Sequence, residues 1–192
     1  MPIRGNIFVA GQYYHIYNRG AGRAKIFFKG DNYEYLLRLV RRYYQQYGAA
    51  IIAYCLMPNH YHFLLRQETD EPLSKFVNVL FNAYVQALNV QQGRTGTLFE
   101  GRFHHSCVED WRYLSQLCKY IHRNPVKARL VSDPEDWHYS NYREWIGLRD
   151  NGLIDKLFLQ DHFPNPEQYR SFVNDVDDEN RNLRNIKPYL WD

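Results

Sequence analysis

Two imidazoles one residue apart carry the first hint of chemistry: His60 and His62, in the run Met57-Pro58-Asn59-His60-Tyr61-His62-Phe63-Leu64-Leu65. On a β-strand alternate side chains leave by the same face, so both rings can grip one divalent ion. A solvent-facing histidine pair with no ligand has the same spacing. Further along, Tyr120 and Asn124 are one helical turn apart and share a polar stripe with Gln116, beside an apolar stripe of Leu114, Leu117, Cys118 and Ile121. A carboxamide oxygen from Asn124 suits a hard ion such as Mg²⁺ or Mn²⁺, and would bring the Tyr120 hydroxyl near it. Plainer readings stand beside these. Asn124 precedes Pro125, the pattern of an N-cap with a first-turn proline, and Tyr120 is one of 17 tyrosines, most of which pack.

Such groups act together only if the fold joins them. Alternation in Tyr13-Tyr14-His15-Ile16-Tyr17-Asn18 predicts a first strand, followed by a basic loop, Arg19-Gly20-Ala21-Gly22-Arg23-Ala24-Lys25, whose amides are candidates to hold phosphate. Asp31 and Glu34 resemble a capping box opening a helix over 31–48, with Leu36, Leu37, Leu39 and Val40 on its apolar stripe and Gly48 as its stop. The apolar run 49–57 fits a strand covered on both faces. After Pro58-Asn59 the histidine strand sends Tyr61, Phe63 and Leu65 into a core, and His60, His62 and Leu64 the other way.

A second helix over 73–92 buries Phe76, Val79, Leu80, Ala83, Tyr84, Ala87 and Leu88, leaving Asn78, Asn82, Gln86 and Asn89 on its other face. A strand over 104–108 follows, on which His104 and His105 point oppositely and cannot both serve one metal. Asp110 or a neighbour then caps the third helix. Strand, helix, strand, strand, helix, strand, helix is the order of an α+β split βαβ sandwich, an antiparallel sheet with helices on one face. Residues 1–147 are expected to form this domain, ending in a short aromatic helix with Trp137, Tyr139, Tyr142 and Trp145, and residues 148–192 an acidic C-terminal extension.

Composition narrows the function classes. The 192 residues suffice for one well-buried core. No run approaches the roughly 18 apolar residues of a membrane span, and the N-terminus lacks a signal-peptide core. The expectation is a cytoplasmic, nucleoid-associated protein with no membrane partner. Cys55, Cys107 and Cys118 are odd in number and lack CxxC spacing, which points to reduced thiols. No GxxxxGK[ST] run occurs, which argues against nucleotide hydrolysis. Residues 1–131 carry 17 Lys+Arg against 8 Asp+Glu, whereas residues 132–192 carry 7 against 13. A basic body with 17% aromatic residues suits a polyanion that offers flat faces, as single-stranded nucleic acid does. Candidate contacts are Arg19, Arg23, Lys25, Arg94, Arg102, Lys119, Arg123 and Lys127.

Four segments in order resemble the motifs of single-tyrosine HUH transposases. They are His15-Ile16-Tyr17-Asn18-Arg19-Gly20, the Met57 to Leu65 run, Arg94-Thr95-Gly96-Thr97-Leu98-Phe99-Glu100-Gly101-Arg102-Phe103, and Tyr120-Ile121-His122-Arg123-Asn124-Pro125-Val126-Lys127-Ala128. The resemblance covers about residues 12–131 and is greatest to the REP-associated tyrosine transposase branch. It implies a ferredoxin-like fold, a metal site at His60 and His62 with Asn124 as third ligand, and Tyr120 as nucleophile. Insertion-sequence members usually have Gln where Asn124 stands, which again points to the REP-associated branch. The implied activity is cleavage and rejoining of single-stranded, hairpin-flanked DNA through a 5′-phosphotyrosine, by a monomer or a homodimer. A metal-dependent hydrolase with a water nucleophile and a catalytically idle hairpin-binding module are the competing readings.

Overall fold

The computed structural model describes residues 8–150 and 152–175. Strand β1 (Tyr13–Arg19) lies between β3 (His60–Gln67) and β4 (His104–Val108), and β2 (Ala49–Met57) flanks β3, giving the order β2-β3-β1-β4. Every neighbouring pair is antiparallel. Helix α1 (Gly30–Tyr43) links β1 to β2, α2 (Leu73–Gln92) links β3 to β4, and α3 (Trp111–Lys127) follows β4. This is the expected α+β, ferredoxin-like sheet.

Alternation along the strands divides the core in two. Tyr14, Ile16, Tyr54, Leu56, Tyr61, Phe63 and Leu65 pack beneath α1 and α2. Ile52, Ala53, Cys55, Met57 and Leu64 face the other way and are covered by α3 and later elements. Helices on one face therefore describes α1 and α2 alone. Strands apolar on both sides must be covered on both sides, and α3 takes the second. Asp110 caps α3 by accepting from the Arg112 amide at 2.7 Å. The helix continues through Pro125, so Asn124 does not open a new helix.

Two further boundaries differ from expectation. Helix α1 begins at Gly30 with Lys29 as its N-cap, and Asn32 in the first turn reaches back, its Oδ1 accepting from the amides of Phe28 and Lys29 at 3.0 and 3.2 Å. The short aromatic helix shrinks to α4 (Tyr142–Trp145), because the chain before it pairs with the edge of β2. There Leu56 N–H donates to Tyr139 O, Asn141 N–H to Tyr54 O, and the Trp137 indole to Leu56 O. Covering this edge removes a template for strand addition.

Helices α5 (Lys156–His162) and α6 (Pro166–Asn174) complete the second layer, with Phe158, Tyr169 and Val173 buried against α3 and α4. Of the acidic run over 175–179, only Asp175 is among the described residues. Cys55 and Cys118 are buried free thiols and Cys107 is partly exposed. Among the described residues no helix is long and apolar enough to cross a membrane.

Candidate active site

The sheet face beneath α3 carries His15 and Tyr17 from β1 and His60 and His62 from β3, with Tyr17 directly opposite His62. Burial, with smaller contributions from His60, His15 and Lys127, holds the His62 imidazole well below the usual histidine pKa. It is therefore neutral, the form that binds metals. Its Nδ1 lies 3.0 Å from His15 Nε2, on a residue with no solvent exposure. If Nδ1 carries the proton, His62 Nε2 keeps the lone pair that could bind a metal, and His15 fixes that tautomer.

His60 is held from two sides. Asn59 donates through Nδ2 to Arg23 O, which turns its Oδ1 to His60 Nδ1 at 2.7 Å. On the other side, His60 Nε2 lies 3.1 Å from Asn124 Oδ1, while the Asn124 amide group points to Tyr120 O at 3.5 Å. With the His60 proton on Nδ1, a nitrogen lone pair and a carbonyl oxygen converge. Two cis ligands each about 2.1 Å from an octahedral ion stand about 3.0 Å apart, so the pair fits a small hard cation. The donor set is two imidazoles and a carboxamide. Among the described residues no cluster of three or more His, Cys, Asp or Glu offers another.

Tyr120 stands edge-on to His62, with ring centroids 5.6 Å apart at 85°. Together with His60, His62, Asn124, Tyr17, Arg19 and Arg23 it lines one cleft of about 440 Å³. The Lys127 ammonium sits 4.5 Å from the Tyr120 ring centre, one helical turn past Asn124. What keeps α3 in register is His122, two residues beyond the tyrosine. Asn141 accepts from Tyr54 N–H and donates to Ile52 O, so its Oδ1 must also accept from His122 Nε2–H at 3.0 Å. The Tyr169 hydroxyl then donates to His122 Nδ1 at 2.6 Å. One buried ring thus ties α3 to β2 and α6.

The basic residues separate into groups. Arg19 and Arg23 reach the cleft, with Arg19 in an ion pair with Glu100, and Arg23 at a left-handed φ of 61°. Lys25 is exposed on the same loop, and Arg102 lines a neighbouring cavity. Arg94 instead turns onto its own loop, donating to Thr97 O. Lys119 and Arg123 are corrected outright. Both are buried, donating to Asp175 O and Val173 O at the end of α6, where cations satisfy helix carbonyls. In the 19–25 loop the amides of Gly20, Ala21, Arg23 and Ala24 donate to backbone carbonyls, so these four are engaged within the fold. His15, Asn59 and His122, none of them among the candidate site residues drawn from the sequence, act as positioning residues. The signal for His15 was its place on the histidine face, visible only once β1 is paired with β3.

Comparison with known proteins adds three findings. A protein of Haemophilus influenzae named as a REP-associated tyrosine transposase is 27% identical over 108 residues, which are 51% of this chain and 61% of that protein's length. A solved structure of a REP-associated tyrosine transposase bound to a REP hairpin has the same fold, with TM-score 0.62 at 16% identity over 81% of this chain and 98% of its own. A family model described as "Transposase IS200 like" matches residues 8–124, a span that takes in both histidines, Tyr120 and Asn124. By that match over more than half its length, the chain belongs to the IS200-like transposase family.

Proposed function

We propose that this protein is a transposase that cuts and rejoins single-stranded DNA at hairpin-flanked sites, with Tyr120 as nucleophile. The observation that carries this reading is that His60, His62, Asn124 and Tyr120, from two separate elements, line one cleft. The relative solved with a REP hairpin supports a hairpin substrate. In the reaction the Tyr120 oxygen bonds to phosphorus as the bond to the 3′ oxygen breaks, and the phenolic proton ends on that oxygen. A 5′-phosphotyrosine and a free 3′-hydroxyl result, and attack by a second 3′-hydroxyl reverses the step on another strand. No ATP is consumed.

The residues divide the work. His60, His62 and Asn124 would hold a divalent ion, Mg²⁺ or Mn²⁺, which when bound supplies positive charge beside the scissile phosphate. Lys127 adds positive charge over the phenol ring as its proton leaves. Arg19 and Arg23 orient the phosphate backbone, with Lys25 and Arg102 nearby. Since one chain supplies the whole set, catalysis within one subunit is the simplest arrangement. Residues 1–147 would form the catalytic domain and residues 148–192 an acidic extension, whose described helices α5 and α6 buttress α3, and the protein would work in the cytoplasm on nucleoid DNA.

Labelled hairpin oligonucleotides from DNA flanking the coding region, incubated with Mg²⁺ or Mn²⁺ and run on a denaturing gel, test this. Wild type should give a slow-migrating covalent band. Tyr120→Phe should keep hairpin binding and lose the band; His60→Ala or His62→Ala should lose metal-dependent cleavage. A free 5′-phosphate with no adduct would favour a water-using hydrolase. Binding indifferent to metal and to Tyr120, without cleavage, would favour an idle binding module.

A further inference from the structure

The carboxamide face of α2 takes no part in the cleft, yet it lines a cavity of about 560 Å³ that shares Asn18 and Tyr61 with it. Asn18 and Tyr61 are cross-strand partners, so only the end of the sheet separates the two spaces. Asn78 and Asn82, one helical turn apart, are exposed on the wall of this cavity. Half-buried Phe99 and Phe103 supply ring surface, and Arg102 a guanidinium. His105 Nε2 is buried on the same wall without a hydrogen-bond partner among the described residues. Two exposed carboxamides, two phenyl rings and a ring nitrogen without a described partner together suit a flat heterocycle with polar edges.

We propose that this cavity is a base-reading pocket. It takes one unpaired nucleobase of the DNA strand whose backbone crosses the Tyr120 cleft, stacked on the Phe99 and Phe103 side and read at its edge by Asn78 and Asn82. Unpaired bases are recognised in this way, by aromatic stacking and by hydrogen bonds to their exposed edges. Asparagine matches the donor and acceptor of adenine best, so adenine is the expected occupant. The pocket would set which nucleotide stands beside the cut, a task the metal and the tyrosine cannot perform because they touch only the phosphate. This inference rests on the reading that the cleft holds single-stranded DNA.

The test is a binding selection that needs no catalysis. A pool of hairpin oligonucleotides with randomised single-stranded flanks is incubated with wild type or with the N78A/N82A variant, and the retained molecules are sequenced. Thermal unfolding is followed for both proteins; the two side chains are exposed, so melting should be unchanged. Wild type should enrich one base at one flanking position, and the variant should flatten that position by roughly fivefold or more while other positions keep their pattern. Phe103→Ala should weaken retention of the same position. An unchanged preference in the variant, or no preference in wild type, would overturn the pocket. Adduct formation by Tyr120 on the same pool is scored separately, so failure of the cleavage reading is distinguishable from failure of the pocket.

Discussion

At the scale of single residues the site is a set of rings whose protons are placed by neighbours. The His62 ring is oriented by His15, 47 residues away in sequence but 3.0 Å away in space, and under the proposed function that contact sets which nitrogen faces the metal. Removing an outer partner of a metal ligand typically costs about 10- to 100-fold in metal affinity. His15→Ala should therefore weaken Mn²⁺ binding by about that factor, measured by titration calorimetry on the intact chain, with His15→Gln recovering part of it. Equal affinity in all three proteins would leave His15 as packing only. Periodicity assigns His60, His62, Tyr120 and Asn124 to faces, and the resemblance to a known family, not the spacing, singles them out as a set. Neither shows the parts played by His15 and Asn59, because their roles depend on which strand lies beside which and on how a turn bends.

At the scale of elements the decisive join is α3 to the sheet, and His122 sits in it. Burial pushes its pKa down to about 4, against the opposing effect of the hydrogen bond it donates to Asn141. Below about pH 6.5 the unfolded chain takes up a proton that the folded chain refuses, so stability rises with pH in that range. Stability is complete above the unfolded pKa and falls as pH drops toward 4. Denaturant unfolding should show about 2 kcal/mol lost between pH 7 and pH 5 through this one group. His122→Gln should unfold more easily at pH 7 yet lose much less on acidification, with His62 contributing the remainder in the same direction. A variant with the wild-type pH slope would remove His122 from the join. The bounds of β2, β4 and α2 were legible to the residue: β2 is an unbroken apolar run and α2 a clear helical stripe, each closed by turn residues. The side on which α3 packs was not, since an amphipathic stripe says which face is buried and not against what.

At the scale of the whole molecule, charge is distributed by depth as well as by sequence. The basic excess of residues 1–131 includes Lys119 and Arg123, which are buried against α6, and Arg19, Arg23 and Lys127, which surround the cleft. Lys and Arg carry no mark in the sequence that separates these two uses. DNA affinity should tell them apart through its salt dependence. Arg23→Ala should lower the slope of log affinity against log salt by about one contact's worth. Arg123→Ala should leave the slope unchanged and lower the melting temperature, because it releases a carbonyl at the end of α6. A slope that falls equally in both would place Arg123 at the DNA. The most direct measurement of all is the identity of the residue that carries the DNA. Protein incubated with a cleavable hairpin strand and Mn²⁺ is digested with protease and nuclease, and the nucleotide-bearing peptide is sequenced by mass spectrometry. A 5′-phosphate linkage on Tyr120 is expected; a linkage on any other side chain, or cleaved DNA with no linked peptide, would contradict it.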